Sequence, residues 1–186
     1  MIIGKRVRLR AIERTDLPHF VNWLNDPEVR QHLLMAVPMS LAQEEKWYEH
    51  NLSLDNAEQP LAIEVNIAEE WVPVGNIGLM GINSIDRYAE LGLFIGEKQF
   101  WNQGYGGEAI ELMLSHGFNT VNLNRIYLRV DETNPRGIHC YERVGFIHEG
   151  RMRQARFEDG QYIDVLLMSV LRSEWQNAHR AKKEVL

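Results

Sequence analysis

The sequence predicts a mixed α/β fold in one domain, and three features lead to that expectation. Helical spacing dominates roughly the first third of the chain, and about seven strand-like segments fill the rest. The second half closes with a β-α-β-α-β-β succession, which suits a mixed sheet better than a doubly wound parallel one. No repeat, linker or low-complexity stretch divides the 186 residues, a length that can bury a core of its own.

The elements follow in order. Arg6–Ile12 (RVRLRAI) alternates and predicts a strand with Val7, Leu9 and Ala11 on one face. Thr15 is the expected cap of a helix with Asp16 in its first turn and Leu17, Phe20, Val21 and Leu24 at helical spacing. Asp26-Pro27 supplies an N-cap and a first-turn proline that restart a short helix through Leu33. Leu33–Met39 is apolar and broken by Pro38, which predicts a packed loop. Ser40 and Gln43 form a capping box for a third helix running to about Leu54. Leu61–Ile67 and Val72–Ile82 read as paired strands around a turn at Glu69-Glu70, and Tyr88–Ile95 as another strand. A glycine-rich turn then opens a helix with an apolar face of Ala109, Ile110, Met113, Leu114 and Phe118. Arg125–Val130 is an expected strand, and Asn134–Val144 a helix closed by Gly145. Phe146–Phe157 and Tyr162–Leu171 make a closing hairpin across Glu158–Gly160. The expected domain spans 1–174, and 175–186 is a polar C-terminal tail.

Composition narrows the function. The chain is 45% hydrophobic and 25% charged, ordinary for a globular protein. A net charge of −6 argues against duplex nucleic acid as main partner and favours a cationic or amine-bearing one. No apolar run is long enough to span a membrane, and the start, MIIGKRVRLR, has no secretory pattern. The single cysteine, Cys140, excludes an internal disulfide, and the seven histidines lack ligand spacing, so no metal is expected. The expected location is cytoplasmic, and a homodimer is compatible with the chain.

Two segments can carry chemistry. Gly104-Tyr105-Gly106-Gly107 lies directly before a helix, where backbone amides and the positive end of the helix dipole suit a phosphate. Residues 104–109 also spell G-x-G-x-x-A, a dinucleotide fingerprint with Asp131 as its acidic residue. Its late position, after hairpin-like strands and without a second β-α-β half, makes that reading the weaker one. The second segment is NPRGIHCYERVGF, Asn134–Phe146, in which Tyr141, on the side of Ile138, reads by itself as a packed amphipathic aromatic. Nucleophile readings fail: His139-Cys140 and Ser115-His116 are helix neighbours that point apart, and no G-x-S-x-G elbow exists.

Together these segments resemble the GNAT superfamily of acetyl-CoA-dependent N-acetyltransferases. Its phosphate pattern, Gln/Arg-x-x-Gly-x-Gly/Ala, is filled by Trp101 to Gly106, and its asparagine–small residue–tyrosine–Gly-Phe signature by Asn134, Gly137, Tyr141 and Gly145-Phe146. The start (VRLRAIERTD, NDPEVRQHL) and the end (HEGRMRQARFEDGQYIDVLLMSVLRSEW) are similar to the subgroup of ribosomal-protein alanine/serine and spermidine N-acetyltransferases. The resemblance covers about residues 5 to 175. It departs at Trp101, which replaces a polar side chain near the phosphates, and at Gly107, which loosens the helix start.

The resemblance implies a central, mostly antiparallel sheet with a splayed central pair, flanked by helices. It also implies acetyl-CoA as cosubstrate, without a metal, and direct attack by a primary amine in a ternary complex. Asn102, Gln103, Gly104, Tyr105, Gly106, Gly107 and Glu108 would cradle the pyrophosphate. Leu93, Phe94 and Ile95 would pair with the pantetheine arm and offer an amide to the oxyanion. Asn134 would bond the cofactor near that arm, and Tyr141 would protonate the leaving thiolate. An alkylammonium with a pKa of about 10.4 needs about 4–5 kcal/mol to reach its free-amine form near neutral pH. A general base is therefore useful, and Glu90 on the implied central strand is the candidate, alongside its reading as an ordinary outward strand residue.

The implied acceptor wall contains Trp23, Glu28, Glu44, Glu45, Trp47 and Tyr48, which equally read as core aromatics and a solvated acidic face. The acceptor could be a protein N-terminus, a polyamine, an amino sugar or an aminoglycoside. A non-turnover acyl-CoA sensor is the alternative of a different class, and a dinucleotide oxidoreductase a more distant one.

Overall fold

Alternation of apolar and polar residues puts Val7 and Leu9 on one buried face of a strand in the computed structural model of residues 1–33 and 38–184 (side chains to 180). The elements are β1 (Ile2–Ile3), β2 (Val7–Ala11), α1 (Leu17–Asn25), α2 (Pro27–Arg30), α3 (Leu41–Leu52), β3 (Leu61–Ile67), β4 (Glu70–Asn83), β5 (Tyr88–Ile95), α4 (Tyr105–Asn119), β6 (Arg125–Asp131), α5 (Pro135–Val144), β7 (Ile147–Glu158), β8 (Gln161–Leu171) and α6 (Arg172–Glu184). The strands hydrogen-bond in the order β1-β2-β3-β4-β5-β6-β8-β7. This is the expected mixed α/β architecture, with eight strands instead of about seven. The β5–β6 ladder is parallel, and β1–β2, β2–β3, β3–β4, β6–β8 and β7–β8 are antiparallel.

Two compact units make up the chain, Met1–Met80 with Gly92–Met113, and Gly81–Leu91 with Leu114–Leu186. In the first, Ile12, Leu17, Phe20, Trp23, Leu24, Val29 and Ala62 form a core that Trp47, Tyr48, Phe94 and Trp101 partly cover. Glu64, buried on β3, accepts from Arg8 Nε at 2.5 Å and Arg10 Nε at 2.8 Å. Arg10 also grips Asp16 at 2.7 and 2.9 Å. Burial alone would raise the Asp16 pKa, but Arg10 and the Glu13 amide outweigh it and hold that carboxyl below its usual range. Asp16, not Thr15, therefore organises the start of α1: its Oδ2 accepts from Glu13 N–H at 2.8 Å, ahead of a single 3-10 turn over Arg14–Asp16.

The other caps are the expected ones. Asp26 accepts from Glu28 N–H at 2.9 Å, although α2 stops at Arg30. Ser40 and Gln43 form the reciprocal capping box of α3. The β3–β4 turn lies at Ala68-Glu69, both at positive φ, one residue earlier than expected. The packed loop expected over Leu33–Met39 falls largely on residues 34–37, outside the described residues.

In the second unit, β6 pairs through its whole length with β8, and the β5–β6 ladder covers Tyr88–Glu90 against Arg125–Tyr127. Leu114, Phe118, Ile126, Leu128, Phe146 and Met168 are buried there. Residues 175–184 of the expected polar tail lie in α6, where Trp175 packs on Phe118 with ring centroids 5.6 Å apart. Arg172 donates to Asn122 Oδ1 at 2.9 Å and to the Phe118 carbonyl, and Leu171 N–H donates to Glu174 at 2.8 Å. No helix among the described residues is long and apolar enough to cross a membrane.

Candidate active site

The expected cradle is a left-handed turn followed by a helix start. Asn102 and Gly104 have φ of +61° and +86°, and Glu108 N–H makes the first helical bond, to the Gly104 carbonyl at 3.1 Å. The amides of Tyr105, Gly106 and Gly107 precede that bond, where an α-helix leaves its N–H groups for an outside acceptor. A side chain at 104 would be strained at that φ and would stand 3.3 Å from Arg6 Nη2. The turn thus fits a pyrophosphate approaching the backbone.

Arg6, at the entry to β2, is the cation that sequence reasoning missed here. Its Nη2 donates to the Gln103 carbonyl at 3.2 Å, its Nε to Glu108 at 2.6 Å, and its guanidinium lies 4.7 Å from the Tyr105 ring centroid. The only sequence signal was a cluster of basic residues 97 positions away from Gln103. Trp101, the departure from the Gln/Arg pattern, makes a bond of its own, its indole N–H donating to the Ile95 carbonyl at 2.7 Å. Gln103 donates to Gln99 O at 2.5 Å. The cradle is therefore tied to the end of β5, where Leu93, Phe94 and Ile95 lie.

The expected acceptor wall resolves unevenly. Trp23 is buried, and Trp47 and Tyr48 are half-buried. Phe20 touches Trp47 and Phe94 edge-on, both at 6.3 Å, and Phe94 meets Trp23 at 6.4 Å. Glu28 is paired with Lys98 at 2.9 Å, and Glu45 is exposed. Glu44 differs from both: it is 2% exposed, and its carboxyl has no hydrogen bond or ion pair to a described residue. Burial pushes that carboxyl up to about 7.

The second unit holds Glu90, Asn134 and Tyr141. Glu90 accepts from Arg129 Nε at 2.8 Å and Nη2 at 3.0 Å, and Tyr127 lies 3.4 Å away. Both Glu90 carboxylate oxygens are thus engaged by one guanidinium in a bidentate pair. Asn134 Oδ1 caps α5 by accepting from Gly137 N–H at 2.9 Å. A Cβ at Gly137 would lie 2.7 Å from Asn134 Nδ2, so only glycine leaves the asparagine amide its place. Tyr141, one turn on, is half-buried and meets the Phe146 ring edge-on at 5.9 Å. Burial pushes its hydroxyl pKa upward, so the group stays protonated and can donate. Asp131, the acid of the dinucleotide reading, is buried against Arg156. Burial likewise raises the Cys140 thiol, which disfavours a nucleophilic thiolate.

Comparison with known proteins bears on both units. Residues 6–147 match the model of the acetyltransferase (GNAT) domain. The spermidine N(1)-acetyltransferase of Vibrio cholerae serotype O1 is 31% identical over 175 residues, covering 94% of this chain and 98% of that enzyme. A putative ribosomal N-acetyltransferase of Bacillus subtilis is 28% identical over 61% of this chain and 62% of its own length. The crystal structure of the Vibrio cholerae spermidine N-acetyltransferase in complex with CoA and spermine superposes with a TM-score of 0.84 at 31% identity, covering 94% of this chain and 100% of that one.

Proposed function

The chain belongs to the acetyltransferase (GNAT) family and is an acetyl-CoA-dependent N-acetyltransferase, and from that premise we propose that its acceptor is a polyamine of the spermidine type. The observation that supports this acceptor is likeness to a spermidine N-acetyltransferase over almost the full length of both chains. A net charge of −6 points the same way, because it favours approach of a polycation.

Acetyl-CoA supplies an acetyl group activated as a thioester. The first-turn amides of α4 receive its pyrophosphate, with Arg6 as a nearby fixed cation and residues 102–108 shaping the approach. The backbone of Leu93–Ile95 orients the pantetheine arm, and an amide there steadies the thioester oxygen as charge develops on it. Asn134, with Oδ1 engaged in the cap, keeps its amide N–H groups to donate. The free amine attacks the thioester carbonyl, forming the C–N bond as the C–S bond breaks; Tyr141 passes its hydroxyl proton to the departing sulfur and recovers one from the nitrogen, so that CoA thiol and the amide leave. Glu90, held by Arg129, serves as a fixed anion.

The test is release of CoA thiol on mixing the protein and acetyl-CoA with spermidine, or with a peptide beginning in alanine. Turnover with spermidine and little with the peptide supports the proposal. Turnover with the peptide alone would overturn it in favour of protein N-terminal acetylation, the reading that the Bacillus subtilis relative favours.

A further inference from the structure

Glycine inside a strand weakens it, and commonly marks a place where another backbone comes close. Gly75 of β4 is such a place. Its φ lies outside the left-handed region, so what the residue supplies is space. A Cβ there would overlap the Phe94 carbonyl oxygen and stand 2.9 Å from the Phe94 carbonyl carbon and 3.0 Å from Ile95 Cα. These are backbone atoms, which cannot swing aside as the end of a long side chain can. The β3–β4 register passes from Ile63–Gly75 to Glu64–Pro73 and skips Val74, the mark of a bulge in β4. The Val74 carbonyl accepts from Gly96 N–H at 2.7 Å and Glu97 N–H at 3.2 Å, just past the end of β5. Trp101 holds the same segment through its indole N–H, bonded to the Ile95 carbonyl at 2.7 Å.

The Phe94 carbonyl and the Ile95 N–H belong to one planar trans peptide, in which oxygen and hydrogen point in opposite directions. Seating the oxygen on Gly75 therefore turns the Ile95 N–H away from Gly75. Trp101 fixes the next carbonyl along, so the peptide is held from both of its ends. A donor to a developing oxyanion is effective when it needs no reorganisation as charge appears. Misplacing a reacting group by about 1 Å can cost about 100-fold in rate.

We propose that Gly75 and Trp101 are positioning residues of acetyl transfer, clamping the Phe94–Ile95 peptide so that the Ile95 N–H stays aimed at the thioester oxygen. The assignment rests on the role given above to Leu93–Ile95 and is independent of which amine is acetylated.

The experiment is infrared spectroscopy of bound acetyl-CoA, isotopically labelled at its acetyl carbonyl, with the natural chain, Gly75→Ala and Trp101→Phe. Gly78→Ala is the control, a β4 glycine whose added Cβ would meet Pro60 instead, at 3.3 Å. Binding to the natural chain is expected to lower the thioester carbonyl stretch, and Gly78→Ala to keep that shift. Gly75→Ala and Trp101→Phe are expected to lose at least half of it. Their kcat, counted per CoA-binding site, is expected to fall about tenfold or more, while the Kd for CoA stays within threefold. A full shift in Trp101→Phe, or in a Gly75→Ala protein that binds CoA, would overturn the proposal. Equal loss in Gly78→Ala, or no shift in the natural chain, would overturn it too. Should Gly75→Ala bind no CoA, the clamp is judged on Trp101→Phe. If the shifts behave as expected but spermidine releases no thiol, the polyamine reading fails and the clamp stands.

Discussion

Glu44 has a consequence for stability that is separate from any ligand. Its folded-state pKa is about 7, against about 4.3 in an unfolded chain. The folded form therefore holds this proton more tightly, so the residue favours folding fully below about pH 4, and that contribution is lost as pH rises through 7. Linkage puts the loss at about 4 kcal/mol. Glu44→Gln, which cannot ionise, is expected to match the natural chain near pH 4 and to exceed it by about 3–4 kcal/mol at pH 8. Urea unfolding at the two pH values checks this, and an equal difference at both would refute it. Tyr141 gives a kinetic prediction at the same scale. Tyr141→Phe is expected to lower kcat about 100-fold while leaving the acetyl-CoA Kd within twofold. Unchanged turnover would remove the hydroxyl from the proton-donor role.

Helix starts carry the next set of predictions. Gly106→Glu places bulk and negative charge on the first turn of α4 and is expected to abolish acetyl-CoA binding, read by thermal shift; normal binding would displace the cradle. Gly137→Ala forces the Asn134 side chain out of its cap and is expected to cost about 1 kcal/mol of stability. The caps at Asp26, Ser40 and Asn134 were legible in the sequence because donor and acceptor lie within three residues of each other. The burial and pairing of Asp16 were not, since Arg10 sets them through an ion-pair network that also includes Glu64 on β3. Helix α6 was hidden for a similar reason: its composition is polar, and the Trp175–Phe118 contact that fixes it joins residues 57 positions apart by number. The two-residue β1 is too short for any periodicity to announce it.

For the molecule as a whole, acetyl-CoA at about 100 times its Kd is expected to add about 2.7 kcal/mol and raise Tm by several degrees, with CoA acting alike and NAD not. Stabilisation by NAD instead would contradict the assignment. The family was readable because two motifs, about thirty residues apart, kept their register. The electrostatic partners were not: Glu90 finds Arg129 39 positions away, and Arg6 reaches Glu108 across 102. Such pairings depend on which strands become neighbours, and local pattern does not encode that. The Trp101 indole, bonded to the Ile95 carbonyl, joins the two segments assigned to the cosubstrate. It is thus a built-in optical reporter. Cosubstrate entry should change the protein's ultraviolet emission without any label, and Trp101→Phe should silence most of that signal while the other four tryptophans keep glowing.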